Sequence, residues 1–163
     1  MGIKTKLTAL LLAGIGAAAV ITGVASADTT VKKCDWTDIE LSANGPGSPH
    51  DGIKGSGLFF ATVAPISECS ITGHVYDVRL LNEDWEPIPA IATRDTYWPT
   101  EKIIVDGPGG AEVDLHWTDG DTVPAYLEIR LEGAEETNAV RWEGGGIDTS
   151  KPLFHAAIHD RMQ

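Results

Sequence analysis

The chain lacks helical periodicity. Beyond residue 27, no stretch repeats apolar residues at the spacing of an amphipathic helix. That absence argues against a fold of alternating strands and helices. Cations are scarce: 12 Lys and Arg face 24 Asp and Glu, for a formal charge of −12 at pH 7. An acidic surface argues against nucleic acid and against anionic membrane surfaces as partners. After the N-terminal region, no second apolar run is long enough to span a bilayer. Cysteine is limited to Cys34 and Cys69.

Catalytic signatures are missing as well. The nearest approach to a nucleophile elbow is Gly55-Ser56-Gly57, which reads as flexible loop with no helix after it. His155 and His159 are four apart, which would put both on one face of a helix. A zincin also needs Glu after the first His, and Ala156 stands there. His50, His74 and His116 are scattered. Asp119-Gly120-Asp121 offers two calcium-type ligands without the twelve-residue loop of an EF-hand, and reads as an Asp-Gly hairpin turn. The acids of Glu83-Asp84-Glu86 and Glu135-Glu136 fall in polar turns, where carboxylates are ordinarily just solvated. No catalytic residue, cofactor or metal ligand is assigned.

What is present begins with a secretory signal. Lys4 and Lys6 precede an apolar, Gly- and Ala-rich run from Leu7 to about Val24, and Ala25-Ser26-Ala27 is a cleavage site of the A-x-A type. Residues 1–27 are the expected signal peptide. Residues 28–163 then form one domain, with its core in about 34–160. Its charge is two units more negative once Lys4 and Lys6 are gone. The first cysteine is too far from the cleavage motif for lipid anchoring. In an exported chain, two cysteines most simply make one disulfide, Cys34–Cys69.

Alternation marks the strands. Ile39 and Leu41 alternate with acids. A Gly-, Pro- and Ser-rich loop follows from Asn44 to Ser56, then an apolar central strand from Leu58 to Val63. Cys69–Ile71 fits a short strand or a turn. Tyr76, Val78 and Leu80 point one way, Asp77 and Arg79 the other. Asn82–Pro87 reads as a hairpin connection, Ile88–Thr93 as a weak edge strand carrying Pro89, and Lys102–Val105 as a short strand. Ala111, Val113, Leu115 and Trp117 alternate with Glu112, Asp114 and His116. Ala125, Leu127, Ile129 and Leu131 alternate with Tyr126, Glu128 and Arg130. Each of these two segments has one apolar and one charged face. Asn138–Trp142 is a short strand, and Gly144-Gly145-Gly146 a flexible break. Leu153–His159 fits either a last strand or one or two helical turns. The spacing predicts an all-β, immunoglobulin-like antiparallel β-sandwich of seven to nine short strands.

The chain also resembles a family of actinobacterial exported domains of unknown function. The resemblance is carried by Cys34, Cys69-Ser70-Ile71-Thr72-Gly73, Asp77-Val78-Arg79-Leu80, and Gly107-Pro108-Gly109-Gly110 followed by Ala111–Trp117. Where this chain has His74-Val75, the family usually has Tyr-Pro. The resemblance implies export and an immunoglobulin-like fold, and brings no catalytic residues.

The function expected is binding rather than catalysis. The partner would be an exported protein or an envelope polymer outside the cell. Candidate contacts are the Asn44–Ser56 loop, Trp85 and Tyr97-Trp98, since aromatics in loops serve as interface anchors. The alternatives are a glycosidase-like hydrolase using Glu83, Asp84 and Glu86, and a structural spacer.

Overall fold

A computed structural model describes residues 31–47, 50–64, 67–97, 99–107 and 110–161, and every regular element in them is a strand. The expected signal peptide, residues 1–27, and Trp98 lie outside the described residues. In chain order the strands are β1 (Ile39–Ala43), β2 (Ile53–Thr62), β3 (Cys69–Thr72), β4 (Tyr76–Leu81), β5 (Pro87–Ile88), β6 (Ile91–Arg94), β7 (Lys102–Val105), β8 (Ala111–Thr118), β9 (Tyr126–Arg130), β10 (Thr137–Arg141), β11 (Pro152–His155) and β12 (His159–Asp160).

The larger sheet runs β1-β2-β8-β11-β6, with β12 also paired to β8. A second sheet runs β10-β9-β4-β5, and β3 pairs with β7. The inward side chains of all three belong to one core, including Phe60, Leu115 and Trp117 from the larger sheet, Leu80, Leu127 and Ile129 from the second, and Ile71 and Val105 from the pair. This is an all-β architecture of several largely antiparallel sheets, consistent with a β-sandwich. Among the described residues no helix is long and apolar enough to cross a membrane.

The strands differ from the expectation in number and direction. There are twelve among the described residues rather than seven to nine, and β11 pairs with β6 in parallel. Pro89 explains part of this. It has no N–H to give a ladder, so the expected strand Ile88–Thr93 splits. Ile88 stays opposite Leu80 in the second sheet, while Ile91–Arg94 crosses to the edge of the larger one. Leu153–His159 divides likewise into β11 and β12. No helix forms there, so His155 and His159 do not share a helical face.

Three glycine-containing segments differ from the expectation, two of them expected as flexible chain and one as a hairpin turn. Gly55-Ser56-Gly57 is not loop but part of β2, paired with His116, Leu115 and Asp114 of β8. Both glycines leave space for neighbours: a Cβ on Gly57 would lie 2.2 Å from the Glu112 carboxylate, and one on Gly55 3.1 Å from the His116 ring. Asp119–Pro124 is not a hairpin turn, because β8 and β9 belong to different sheets and the segment carries the chain between them. Gly144–Gly146 is not a flexible break. The Trp117 indole N–H donates to the Gly146 carbonyl (3.2 Å) and that of Trp142 to the Gly145 carbonyl (2.8 Å). The two indoles meet at 4.7 Å between centroids.

The disulfide joins Cys34 to Cys69, with Cα atoms 4.9 Å apart. It holds the N-terminal segment beside β3: Cys34 N–H donates to the Ser70 carbonyl (2.9 Å), and Ser70 N–H to that of Lys32 (2.7 Å). A buried disulfide is compatible with an extracellular protein.

Candidate functional site

The connection between β4 and β5 is built by Asn82. Its side-chain oxygen accepts from the backbone N–H of Asp84 and of Glu86, each at 2.9 Å. Its own N–H donates to the Glu86 carbonyl (3.0 Å), and Trp85 N–H donates to the Asn82 carbonyl (3.1 Å). The turn closes with Trp85 at φ +64°. That left-handed position ordinarily takes Gly or Asn, and a bulky side chain there costs roughly 1–2 kcal/mol. The Trp85 ring lies flat on Tyr126, with 4.1 Å between centroids and 15° between planes, yet the residue remains 58% exposed. The Arg141 guanidinium stands 5.8 Å from the Tyr126 centroid and 3.4 Å from Glu83. Trp85, Tyr126, Arg141 and Glu83 thus form a flat aromatic surface with a charged rim.

Tyr97, the other aromatic candidate among the described residues, does not join this surface through a shared sheet. Tyr97 is 82% exposed and follows β6 at the edge of the larger sheet, whereas Trp85 belongs to the second. Its N–H donates to Asp95 (2.8 Å), and Asp95 N–H to the His155 carbonyl (2.8 Å). Of the candidate loop Asn44–Ser56, residues 53–56 lie in β2, and the Ser56 hydroxyl donates to the Asn44 carbonyl.

The turn acids are exposed and drawn into local contacts. Glu83 faces Arg141, and Glu86 accepts from the Asn82 amide at 3.4 Å. The Lys54 ammonium, 2.7 Å from Asp119, helps hold that carboxyl below its usual range. Among the described residues no three His, Cys, Asp or Glu are grouped to hold a metal ion.

Two features escaped the sequence reading. Glu112 and Asp114 rise from the outer face of β8 beside His159, whose ring nitrogen is 3.4 Å from Asp114. Burial, and then Asp114, raise the Glu112 carboxyl above its ordinary value. The second is a crevice of about 570 Å³ where the sheets part. Tyr76, Asp77 and Val78 of β4 face Ala92 and Arg94 of β6 across it, with His155 at its floor. His74 lies beyond, its ring centroid 6.5 Å from that of His155 in an edge-on arrangement. Both histidines are buried, and the Nδ1 atom of each has no hydrogen-bond partner.

No family profile, curated protein or solved structure matches this chain. The chemistry of these sites therefore rests on their own geometry. Burial, and then Arg94, lower the pKa of His74; burial, and then His74 and Arg94, push His155 down to about 4. Both imidazoles are neutral at neutral pH in the folded protein. In the unfolded chain each returns towards about 6.5. Between those values the unfolded state binds more protons, so stability rises with pH across the window and falls on acidification. The groups facing the pair are Arg94, which opposes protonation, and Glu132 and Asp95, which favour that of His74. We expect the urea midpoint to fall as pH drops from about 7 to about 5, above the range where carboxylates dominate. His155→Phe should flatten that slope, and an unchanged slope would remove this pair as its cause.

Proposed function

We propose that this chain is a secreted, non-catalytic binding module with an immunoglobulin-like β-sandwich, and that it holds a cell-envelope polymer against the Trp85 surface. The observation that carries the reading is the conformation of Trp85. Backbone strain at a bulky residue persists where the surroundings over-determine it, and such sites are concentrated where proteins bind. Here the strain holds an indole flat on Tyr126 with its other face open. A flat aromatic face suits the apolar face of a sugar ring, and Arg141 and Glu83 supply rim donors and acceptors for its hydroxyls. Tyr97 is a second exposed aromatic. The disulfide and the secretory signal read from residues 1–27 support export.

The test is cosedimentation with purified envelope material at low and high salt. Salt-resistant retention is expected, and loss in salt would reduce the contact to charge. The informative variant is Trp85→Gly. Glycine removes the stack, worth about 0.5–1.5 kcal/mol, but relieves the positive φ. The two offset, so the melt should stay nearly unchanged while retention falls at least tenfold, or about 1.4 kcal/mol. Unchanged retention would overturn the assignment. A large loss of stability would make Trp85 a packing residue. Retention by a soluble exported protein instead of the polymer would redirect the reading to a protein partner.

A further inference from the structure

The crevice between β4 and β6 has features the Trp85 surface does not explain. Arg94 carries the only positive charge among its lining residues. Its guanidinium lies over the Tyr76 ring, 4.8 Å from the centroid. Among the described residues no carboxylate stands within ion-pair distance of it. In a chain with twice as many acids as bases, an unpaired guanidinium at a concave site is notable. The one carboxylate lining the crevice, Asp77, is already engaged by Arg130 at 2.7 Å. At the floor, His155 is only 6% exposed and its Nδ1 has no partner. Buried polar atoms without partners are uncommon, and each calls for an explanation such as a ligand.

We propose that this crevice binds a small oxyanion, a carboxylate or a phosphate, with Arg94 as its anchor and the His155 imidazole as a second donor. A guanidinium pairs with such groups through two parallel N–H donors, and the Tyr76 ring lies beside the Arg94 guanidinium. A neutral imidazole gives one further hydrogen bond from a ring N–H. The facing histidines suggest a metal as the rival occupant. Arg94 opposes a cation there, and among the described residues no third ligand joins the pair. An anion reverses the sign of that conflict. Its charge would offset Arg94 and favour a proton on His155, so anion binding and proton uptake are coupled. Asp77, Asp95, Glu132, His74 and Tyr76 are the other titratable groups around the pair, and none of these carboxylates replaces the missing counter-ion of Arg94.

The test uses nitrogen-detected NMR of the imidazoles at neutral pH. Inorganic phosphate and sodium acetate are added in separate titrations, with ionic strength held constant by sodium chloride. The expected result is a saturable shift of the His155 ring signals with at least one of them. Phosphate alone would assign the site to phosphate; acetate as well would assign it to carboxylates too. With phosphate bound, the His155 protonation midpoint should rise, each unit meaning tenfold tighter binding to the protonated form. Arg94→Gln should weaken the response at least tenfold while leaving the melt unchanged, since Arg94 is exposed on an edge strand. The proposal fails if neither anion saturates at tens of millimolar, if chloride reproduces the shift, or if the response survives Arg94→Gln. A saturable response to zinc chloride with none to either anion would also overturn it, in favour of a metal.

Discussion

Replacing Cys34 and Cys69 together by alanine should lower the unfolding free energy by about 4 kcal/mol, with a fall in melting temperature on the order of 15 °C. The disulfide closes a loop with a sequence separation of 35. On the chain-entropy account, that much restriction of the unfolded state gives the figure quoted. The native state has its own stake in the link. Cys69 is 1% exposed and packs in the core, and the segment it tethers is also held by the Ser70 hydroxyl, which donates to the Val31 and Lys32 carbonyls, and by the Trp36 indole, which donates to the Glu136 carbonyl (2.9 Å). Lys33 pairs with Ser70 only as an isolated bridge, and the Cys34 and Ser70 N–H groups supply the backbone hydrogen bonds there. Without the covalent link those contacts must hold residues 31–38 against the core by themselves. The urea slope should also rise, because the uncrosslinked unfolded chain exposes more surface. Alanine is the right replacement, since serine would put a hydroxyl where Cys69 is buried. A double variant as stable as the parent would show that the link adds no stability.

The disulfide and most strands were legible because they depend on local or countable features. Alternation located β4, β8 and β9, and apolar residues on both faces marked Leu58, Phe59 and Phe60 as central. Sheet membership was not legible. Two consecutive segments, each with one apolar face, read the same whether they form a hairpin or lie in separate sheets, and Asp119–Pro124 has the composition of either connection. Trp85 could be seen as exposed from its polar neighbours. Its positive φ could not, because the Asn82 cap that imposes it accepts from residues two and four positions on. The crevice was invisible for a further reason. His74 and His155 meet only because His74 bridges to Ala157 and β11 turns His155 inward beside Leu153. The one available signal was His155 two residues after Leu153, an inward position in a strand, and the same segment fitted a helix.

Glycine is where composition and packing part most, and the 144–146 segment gives the sharpest test. Composition alone makes three consecutive glycines a loose connection. The structure makes two of them close contacts. A Cβ on Gly146 would lie 1.8 Å from the Gly120 carbonyl oxygen, and one on Gly144 would lie 2.3 Å from the Trp142 ring and 2.6 Å from that of Trp117. None of these neighbours is the free end of a flexible chain. Gly120 is backbone, itself pressed against Asp148, and the two indoles are buried and fixed by their N–H bonds to Gly146 and Gly145. A methyl on Gly146 must therefore displace the β8–β9 crossover, and one on Gly144 the indole pair. Overpacking in a core costs about 1–3 kcal/mol and more where backbone must move. We expect Gly146→Ala to cost about 3 kcal/mol. Gly52→Ala is the control for conformation without crowding. Gly52 has φ +75° and nothing within 4 Å of the new methyl, so its cost should be the roughly 1 kcal/mol of the left-handed backbone alone. If Gly146→Ala cost no more than Gly52→Ala, the segment would yield as freely as its composition suggests. If it cost several times more, as the contacts require, glycine here is the space into which the Gly120 carbonyl fits as the chain crosses from one sheet to the other.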